Sequence, residues 1–171
     1  MSAKTSLSEL DLICKQAQEA KIDLRRSSKA KKNDALKYAA EFLLKNKAKL
    51  IDANTIDMEL ASQKDLQDSF VDRLELNEKR IDSMISGLDK VINLDDPVGQ
   101  TDQPHTSPSG FEVSKMRVPL GVIGIIYESR PNVTADASAL CLKSGNACIL
   151  RGGSEAANSN AVIEECMQDG L

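Results

Sequence analysis

Apolar side chains recur every three or four residues through the first half of the chain, at the spacing of helices that bury one face. Breaks in this spacing coincide with residue types that favour helix ends, such as Ser and Asn. The predicted elements are a helix from a capping box at 6–9 to about Leu24, a helix from near Ser28 to about Leu60 with a break near Asn46, and a later helix capped by Asn77. Residues 1–95 are therefore expected to form a helical N-terminal segment.

After residue 95 the pattern changes to short apolar runs separated by Pro and Gly. A run that is apolar on both faces indicates a strand buried in a parallel sheet, whereas alternation indicates a strand at a sheet edge. The predicted elements are a loop at 100–110, an amphipathic edge strand at 111–118, a buried strand at 121–127, a helix at 134–144 ended by Gly145, a strand at 147–150 and a final helix at 154–168.

These elements predict an α/β fold in which a helical layer packs on a parallel βαβ unit. Residues 96–171 would be an incomplete α/β cofactor-binding unit, and residues 1–95 would belong to the same domain. Parallel strands bind ligands at their carboxyl ends, so the segments that follow the two strands are the places to look for a site.

The turn after the second strand, Arg151-Gly152-Gly153-Ser154-Glu155, is the best candidate for contact with a cofactor. Glycine lets a backbone approach a ligand closely, and the N-terminus of the helix beyond it attracts anions. The Arg151 guanidinium matches the 2′-phosphate of NADP. The alternative is an ordinary strand-to-helix turn with a surface arginine.

Two other glycines, Gly121 and Gly124, do not form a dinucleotide-binding GxGxxG fingerprint, because the third glycine and the helix start that should follow it are absent. We expect Gly121 to permit the turn after Pro119. We expect Gly124 to let a helix pack close to its strand.

The loop 128–132 joins the first strand to its helix at the carboxyl end of the sheet. It carries a cation, Arg130, and an amide donor, Asn132. The alternative is that Asn132 and Thr134 only cap the helix that follows.

Composition narrows the class of protein. A chain of 171 residues with 41% hydrophobic and 28% charged residues is long enough for a packed core. The net charge of −4 argues against nucleic-acid binding, and no apolar run is long enough to span a membrane. Four widely spaced cysteines without a CxxC pair indicate reduced thiols in the cytoplasm, with no metal site. One basic cluster is expected to be a solvated face: Lys21, Arg25, Arg26, Lys29, Lys31 and Lys32.

Three stretches resemble one family closely. They are the segments VPLGVIG at 118–124, YESRPNV at 127–133 and GNACILRGG at 145–153, and DPVG at 96–99 and DRL at 72–74 agree with the same family. This sequence is similar to the γ-glutamyl phosphate reductases, also called glutamate-5-semialdehyde dehydrogenases, of the aldehyde dehydrogenase superfamily. The resemblance extends from the N-terminal helices to the last residues.

The resemblance implies an activity and a set of partners. Such an enzyme uses NADPH to reduce L-glutamyl 5-phosphate to glutamate 5-semialdehyde, with release of phosphate, in proline biosynthesis. It would act after glutamate 5-kinase, with possible functional coupling to that kinase, and would form a homo-oligomer. Neither nucleic acid nor membrane is implied as a partner.

The resemblance also implies roles for site residues. In the superfamily a basic residue and a glutamate after this strand hold the adenosine ribose, which gives Arg151 and Glu155, with Gly152 and Gly153 between them. An acyl phosphate needs a cation near its phosphate and a donor near the carbonyl oxygen. The resemblance implies Arg130 for the substrate and Asn132 for the oxyanion, although the register also permits the reverse.

Family members are far longer, so the resemblance implies that these residues are roughly the first two fifths of an enzyme. The family forms a cysteine thioester, and none of the four cysteines here lies in the nucleophile motif. We therefore expect this chain to be inactive by itself. The alternative function is a non-catalytic cofactor-binding or assembly module, and a cut piece of a longer protein is a further possibility.

Overall fold

A computed structural model describes residues 2–64 and 66–171 of the chain, with side chains from residue 9 onward. Over this range it contains seven α-helices, four short strands and one 3₁₀ turn. The helices are α1 (Ser2–Arg26), α2 (Lys29–Lys45), α3 (Lys47–Ser62), α4 (Asp68–Leu74), α5 (Glu78–Asn93), α6 (Asn132–Lys143) and α7 (Ala157–Asp169). The strands are β1 (His105–Thr106), β2 (Glu112–Val113), β3 (Val122–Ile126) and β4 (Ala147–Arg151), and the 3₁₀ turn is Ser154–Ala156.

The predicted helix boundaries in the first half are largely confirmed. The Ser28 hydroxyl accepts from the Lys31 N–H at 3.2 Å, and the Asn77 side chain accepts from the Arg80 N–H at 3.0 Å. The break near Asn46 separates α2 from α3. The helix start predicted at the capping box 6–9 is wrong, because α1 begins at Ser2; the Ser6 side chain lies outside the described residues. No helix in the described ranges is both long and apolar enough to cross a membrane.

One hydrophobic core joins the helical segment to the βαβ unit. It contains the buried faces of α2, α3, α5, α6 and α7, so the last helix packs directly on the second and third. Gly170, just after α7, lies so close to α2 that a Cβ there would stand 2.6 Å from the Ala39 backbone nitrogen. The predicted α/β fold, a helical layer packed on a parallel βαβ unit, is confirmed.

A buried ionic cluster holds the segment after α5 against α2 and α6. The Lys32 ammonium lies 2.6 Å from an Asp96 carboxylate oxygen and donates to the Lys143 carbonyl at 3.1 Å. Lys143 donates in turn to the Asn33 side chain and the Ile92 carbonyl, at 2.7 and 2.8 Å. The prediction that Lys32 lies on a solvated basic face is therefore wrong, because its side chain is paired and only 1% exposed.

β3 and β4 pair in parallel, with Val122 beside Ala147 and Ile126 beside Arg151. Helix α6 crosses between them, and α1 packs against both strands. The prediction that the first strand is buried on both faces is wrong for the described chain, because Ile126 is 84% exposed. The close helix expected at Gly124 is absent too, since a Cβ there would meet nothing within 4 Å among the described residues.

The turn glycines around this sheet behave as predicted. Gly121 has φ +118° in the turn before β3, and Gly145 has φ +73° just after α6. Glycine adopts these conformations without a steric penalty. The Asn146 side chain accepts from the Gly121 N–H at 2.8 Å, which fixes the two strand starts side by side.

Residues 99–117 form a hairpin arm instead of joining the sheet. His105 pairs with Val113 in an antiparallel ladder, and Thr101 pairs with Met116. The amphipathic edge strand predicted at 111–118 is therefore wrong, as is the loop predicted across His105–Thr106. The arm pairs with itself, and its residues are exposed on both faces, including Phe111 at 73%.

We expect Lys32→Met to lower the free energy of unfolding by about 3 kcal/mol, because it leaves the largely buried Asp96 carboxylate without its cation. Urea unfolding followed by circular dichroism measures the loss. Lys29→Met is the matched control: its ion pair with Asp95 is 3.8 Å long and exposed, so its midpoint should stay near that of the wild type. Equal losses in the two variants would contradict this account.

The Lys32→Met deficit should shrink in acid. Burial alone would raise the pKa of Asp96, but hydrogen bonds from Lys32 and the Val98 N–H hold this pKa below its ordinary value. Below about pH 4 the unfolded chain therefore binds a proton at Asp96 before the native chain does. The stability contributed by the pair is lost as pH falls through the folded pKa, so the unfolding curves of variant and wild type should converge.

Candidate functional site

The segments that follow β3 and β4 meet at one edge of the sheet. The Tyr127 N–H bonds the Arg151 carbonyl at 3.1 Å, which continues the ladder one step beyond the strands. The Ser129 hydroxyl then donates to a Glu155 carboxylate oxygen at 2.9 Å. This bond connects the loop that carries Arg130 to the glycine turn.

Gly152 and Gly153 make this approach possible. A Cβ at Gly153 would overlap the Ser129 hydroxyl, and a Cβ at Gly152 would overlap the Asn160 amide. Both glycines therefore allow the turn to pack against its own protein neighbours. This structural requirement exists whether or not a ligand also contacts the turn.

Arg151 and Glu155 offer opposite charges on either side of these glycines. The Arg151 side chain is exposed and donates from Nη1 to the Gly152 carbonyl at 2.9 Å. Hydrogen bonds from its own backbone N–H and from Ser129 lower the pKa of Glu155, so its carboxylate stays ionised and accepts hydrogen bonds. A guanidinium matches a phosphate and a carboxylate accepts from a ribose hydroxyl, so these residues fit a dinucleotide cofactor, NAD or NADP.

The N-terminus of α7 is not open to an anion, contrary to the expectation from the sequence. Asp57 of α3 is buried, and its carboxylate accepts from the backbone N–H groups of Asn158 and Ser159 at 3.1 and 2.8 Å. The same carboxylate accepts from both of their side chains, at 2.8 and 2.7 Å. Asp57 therefore occupies the position that a ligand phosphate was expected to take.

Asn132 and Thr134 do not cap α6, so that alternative is wrong. Asn132 is the first residue of the helix, and its Nδ2 donates to Asp136 at 3.1 Å. Thr134 donates to Asn160 at 2.8 Å and lies 2.6 Å from the Tyr127 hydroxyl. Burial raises the pKa of Asp136.

Arg130 and Asn132 line the same groove, which has a volume of about 340 Å³. It lies between the loop after β3 and the connection from α4 to α5, and this volume is at the lower end for small-molecule sites. The groove also contains residues that the sequence reasoning missed: Arg73, Glu75, Arg80 and Asp136. The spacing of Asp136 four residues after Asn132 was the one local signal for a contact.

The cysteines lie away from this groove. Cys141 and Cys166 are buried, Cys148 is half-buried and Cys14 is exposed on α1. The Cys166 side chain belongs to the main core. A hydrogen bond from the Cys141 thiol lowers the pKa of Cys148, but that thiol lies within the βαβ unit. Among the described residues, no group of three or more His, Cys, Asp or Glu side chains is arranged to hold a metal ion.

The family model for the aldehyde dehydrogenase family matches residues 2–171. The chain belongs to the aldehyde dehydrogenase family. Two curated members of similar sequence are the γ-glutamyl phosphate reductases of Thermodesulfovibrio yellowstonii, 49% identical over 94% of this chain, and Halothermothrix orenii, 54% identical over 81%. The matched segments are 39% and 33% of those proteins, so this chain spans between a third and two fifths of the length of these relatives.

Solved structures of the aldehyde dehydrogenase family agree with this assignment. The γ-glutamyl phosphate reductase of Thermotoga maritima matches with a TM-score of 0.86 at 46% identity, over 92% of this chain and 38% of that one. The Saccharomyces cerevisiae enzyme matches with a TM-score of 0.87 at 34% identity, over 93% of this chain and 40% of that one. The predicted resemblance to the N-terminal portion of γ-glutamyl phosphate reductases is confirmed.

We expect Gly153→Ala to break the bond between Ser129 and Glu155, because the added Cβ overlaps the hydroxyl. The pKa of Glu155 should then rise toward its ordinary value, which carboxyl NMR titration measures. Gly124→Ala is the matched control, since its Cβ meets nothing within 4 Å in the described structure. An unchanged Glu155 titration in Gly153→Ala would show that the contact does not depend on this glycine.

Proposed function

We propose that this chain is part of an enzyme that reduces L-glutamyl 5-phosphate to glutamate 5-semialdehyde with NADPH, releasing phosphate, in proline biosynthesis. The names of its relatives support an oxidoreductase of this kind. The observation that carries the proposal is the 2.9 Å bond from Ser129 to Glu155, which holds a turn suited to a cofactor beside a groove suited to a small anion.

We assign the cofactor side to Arg151, Gly152, Gly153 and Glu155. Arg151 would bind the 2′-phosphate, and Glu155 would accept from the free 3′-hydroxyl of the same ribose. Its Oε2 is held by Ser129 at 2.9 Å, and its Oε1 accepts from Ser154 at 3.1 Å and lies 3.5 Å from the Lys64 ammonium. NADPH supplies the hydride when it is bound. Because Asp57 occupies the N-terminus of α7, the side chain of Arg151 carries the phosphate recognition on this turn.

We assign the substrate side to Arg130 and Asn132. Arg130 is exposed on the groove and would attract the phosphate of an acyl phosphate. Asn132 donates one amide N–H to Asp136, which orients the amide. Its other N–H is the donor that we assign to the carbonyl oxygen as negative charge develops there.

We propose that the nucleophile of this reaction is not one of the four cysteines of this chain. None of the residues that line the groove in the described structure is a cysteine. Burial and a neighbouring carboxylate raise the pKa of Cys166, which keeps its thiol protonated. The chain by itself would therefore be inactive.

Other features of the proposal follow from the resemblance. They are a cytoplasmic location, a homo-oligomer and functional coupling to glutamate 5-kinase. The alternative function, a non-catalytic cofactor-binding or assembly module, would instead use the exposed hairpin arm and the partly covered sheet as contact surfaces. A defined oligomer that does not bind NADPH would favour the assembly module.

We expect the chain to bind NADPH saturably and more tightly than NADH. Arg151→Gln should weaken NADPH binding by roughly tenfold to a hundredfold and change NADH binding little, since it removes the charge that faces the 2′-phosphate. Fluorescence titration measures both constants. Arg117→Gln, on the hairpin arm, is the matched control for loss of a positive charge. Equal losses for the two cofactors would contradict the role of Arg151.

We expect no turnover by the purified chain. The rate of NADPH oxidation is monitored by the absorbance of NADPH, with L-glutamyl 5-phosphate generated in the same solution. This rate should not exceed the rate measured without protein. A Cys148→Ser variant tests the most acidic thiol of the Cys141–Cys148 pair. Turnover that this substitution abolished would identify a nucleophile within the chain and contradict the proposal.

A further inference from the structure

The groove beside Arg130 contains three arginines, and they differ in how fully the protein uses them. Arg80 is engaged by its own neighbourhood: it bonds the Asp72 carboxylate at 2.8 Å, the Asp72 carbonyl, and the Glu75 carbonyl at 3.0 Å. These contacts tie the end of α4 to the start of α5. Arg80 is therefore a structural residue of the groove wall.

Arg73 is held differently. Its Nε donates to the Ser69 carbonyl at 2.8 Å, which fixes the side chain along α4. Its Nη1 lies 3.4 Å from a Glu128 carboxylate oxygen, at the long end of the hydrogen-bond range. The two side chains are 37% and 71% exposed. An ion pair this long and this exposed contributes little to stability, so both groups can exchange partners at low cost.

The pair stands at the rim of the proposed substrate site. Arg73 lines the groove, and Glu128 belongs to the loop that also carries Arg130. The Arg130 N–H bonds the Glu128 carbonyl at 2.7 Å in a tight turn, so the loop fixes the two residues close together. A molecule whose phosphate lies at Arg130 would extend its other end along the groove.

An α-amino acid carries a carboxylate and an ammonium on the same carbon. A guanidinium binds a carboxylate through paired N–H groups, and a carboxylate accepts from an ammonium. Arg73 and Glu128 present these two complementary groups side by side. We infer that this pair binds the amino-acid head of the substrate, Arg73 its α-carboxylate and Glu128 its α-ammonium, an inference that rests on the proposed function.

Charged side chains have two separate roles in this groove. Arg130 and Asn132 serve the reacting end, whereas Arg73 and Glu128 select for a free α-amino acid. An N-acylated substrate has lost the ammonium, so its carbonyl and amide would face the Glu128 carboxylate without an ionic partner. The site would therefore reject N-acylated glutamyl phosphates.

The probe is L-2-amino-6-phosphonohexanoate, a stable analogue of L-glutamyl 5-phosphate in which methylene groups replace the bridging oxygen and the carbonyl, so that its amine cannot close a ring on a ketone. Calorimetric titration of the full chain compares it with its N-acetyl derivative and its α-carboxamide. We expect the wild type to prefer the parent compound by about tenfold over each, since partly exposed charge pairs give moderate discrimination.

Each variant should remove one preference only. Glu128→Gln should bring the ratio between the parent and the N-acetyl compound close to one, and Arg73→Gln should do so for the carboxamide. Arg73→Lys should restore part of the lost ratio, because it keeps the charge. Arg117→Gln is the control and should leave every ratio unchanged.

The titrations distinguish loss of the head-group role from loss of the substrate site. If the wild type binds all three compounds equally, the head-group role is overturned and the proposed function stands. Variants that weaken all compounds by the same factor would show that the pair only holds the loop against α4, which also overturns the inference. If no compound binds saturably, both the proposed substrate site and the head-group role of Arg73 and Glu128 are contradicted.

Discussion

The buried carboxylate of Asp57 is the interaction on which the arrangement of this chain depends. Four hydrogen bonds of 2.7 to 3.1 Å from the first turn of α7 end on its two oxygens. The positive end of the helix dipole adds to them, so the charge is stabilised without a cation in contact. Because α7 follows the glycine turn directly, the same bonds set where that turn stands relative to α3. Asn54, on the same helix, bonds Ser159 and extends the contact.

The glycine turn is held from two sides as a consequence. Asp57 of α3 holds the first turn of α7, which follows the glycine turn. Ser129, in the loop after β3, holds the carboxylate of Glu155. The shape of the proposed cofactor site is therefore defined by contacts within the protein, and Gly152 and Gly153 are required first for these contacts. A preformed site of this kind reduces the ordering cost of binding.

Sequence reasoning succeeded where a residue acts on its own neighbours. Ser28, Asn77 and Gly145 end or begin helices through contacts a few residues away, and the pattern of apolar positions located β3, β4 and most helices. Sequence reasoning failed where the partner is distant. No residue near Lys32 or Asp57 in the sequence indicates that each bonds a partner more than sixty residues later.

The edge strand predicted in the hairpin arm was wrong for another reason. Alternation of polar and apolar residues shows that a strand has two different faces, but it does not show whether either face packs on a core. In the candidate site, Arg130 and Asn132 were placed in one groove as expected, whereas Arg73 lies on an element that no local pattern connects to them.

The long span of these contacts also shapes how the chain can acquire its structure. Lys32 reaches the Lys143 carbonyl across 111 residues, and Asp57 reaches Ser159 across 102. Contacts of this separation form late, because a long loop must close before they contribute any stability. During synthesis, α2 and α3 would leave the ribosome with the apolar faces that later cover α7 still open to water. The surfaces of α2 and α3 that pack on α7 would therefore be among the last parts of the core to be covered, after the contact between α2 and α5 has formed.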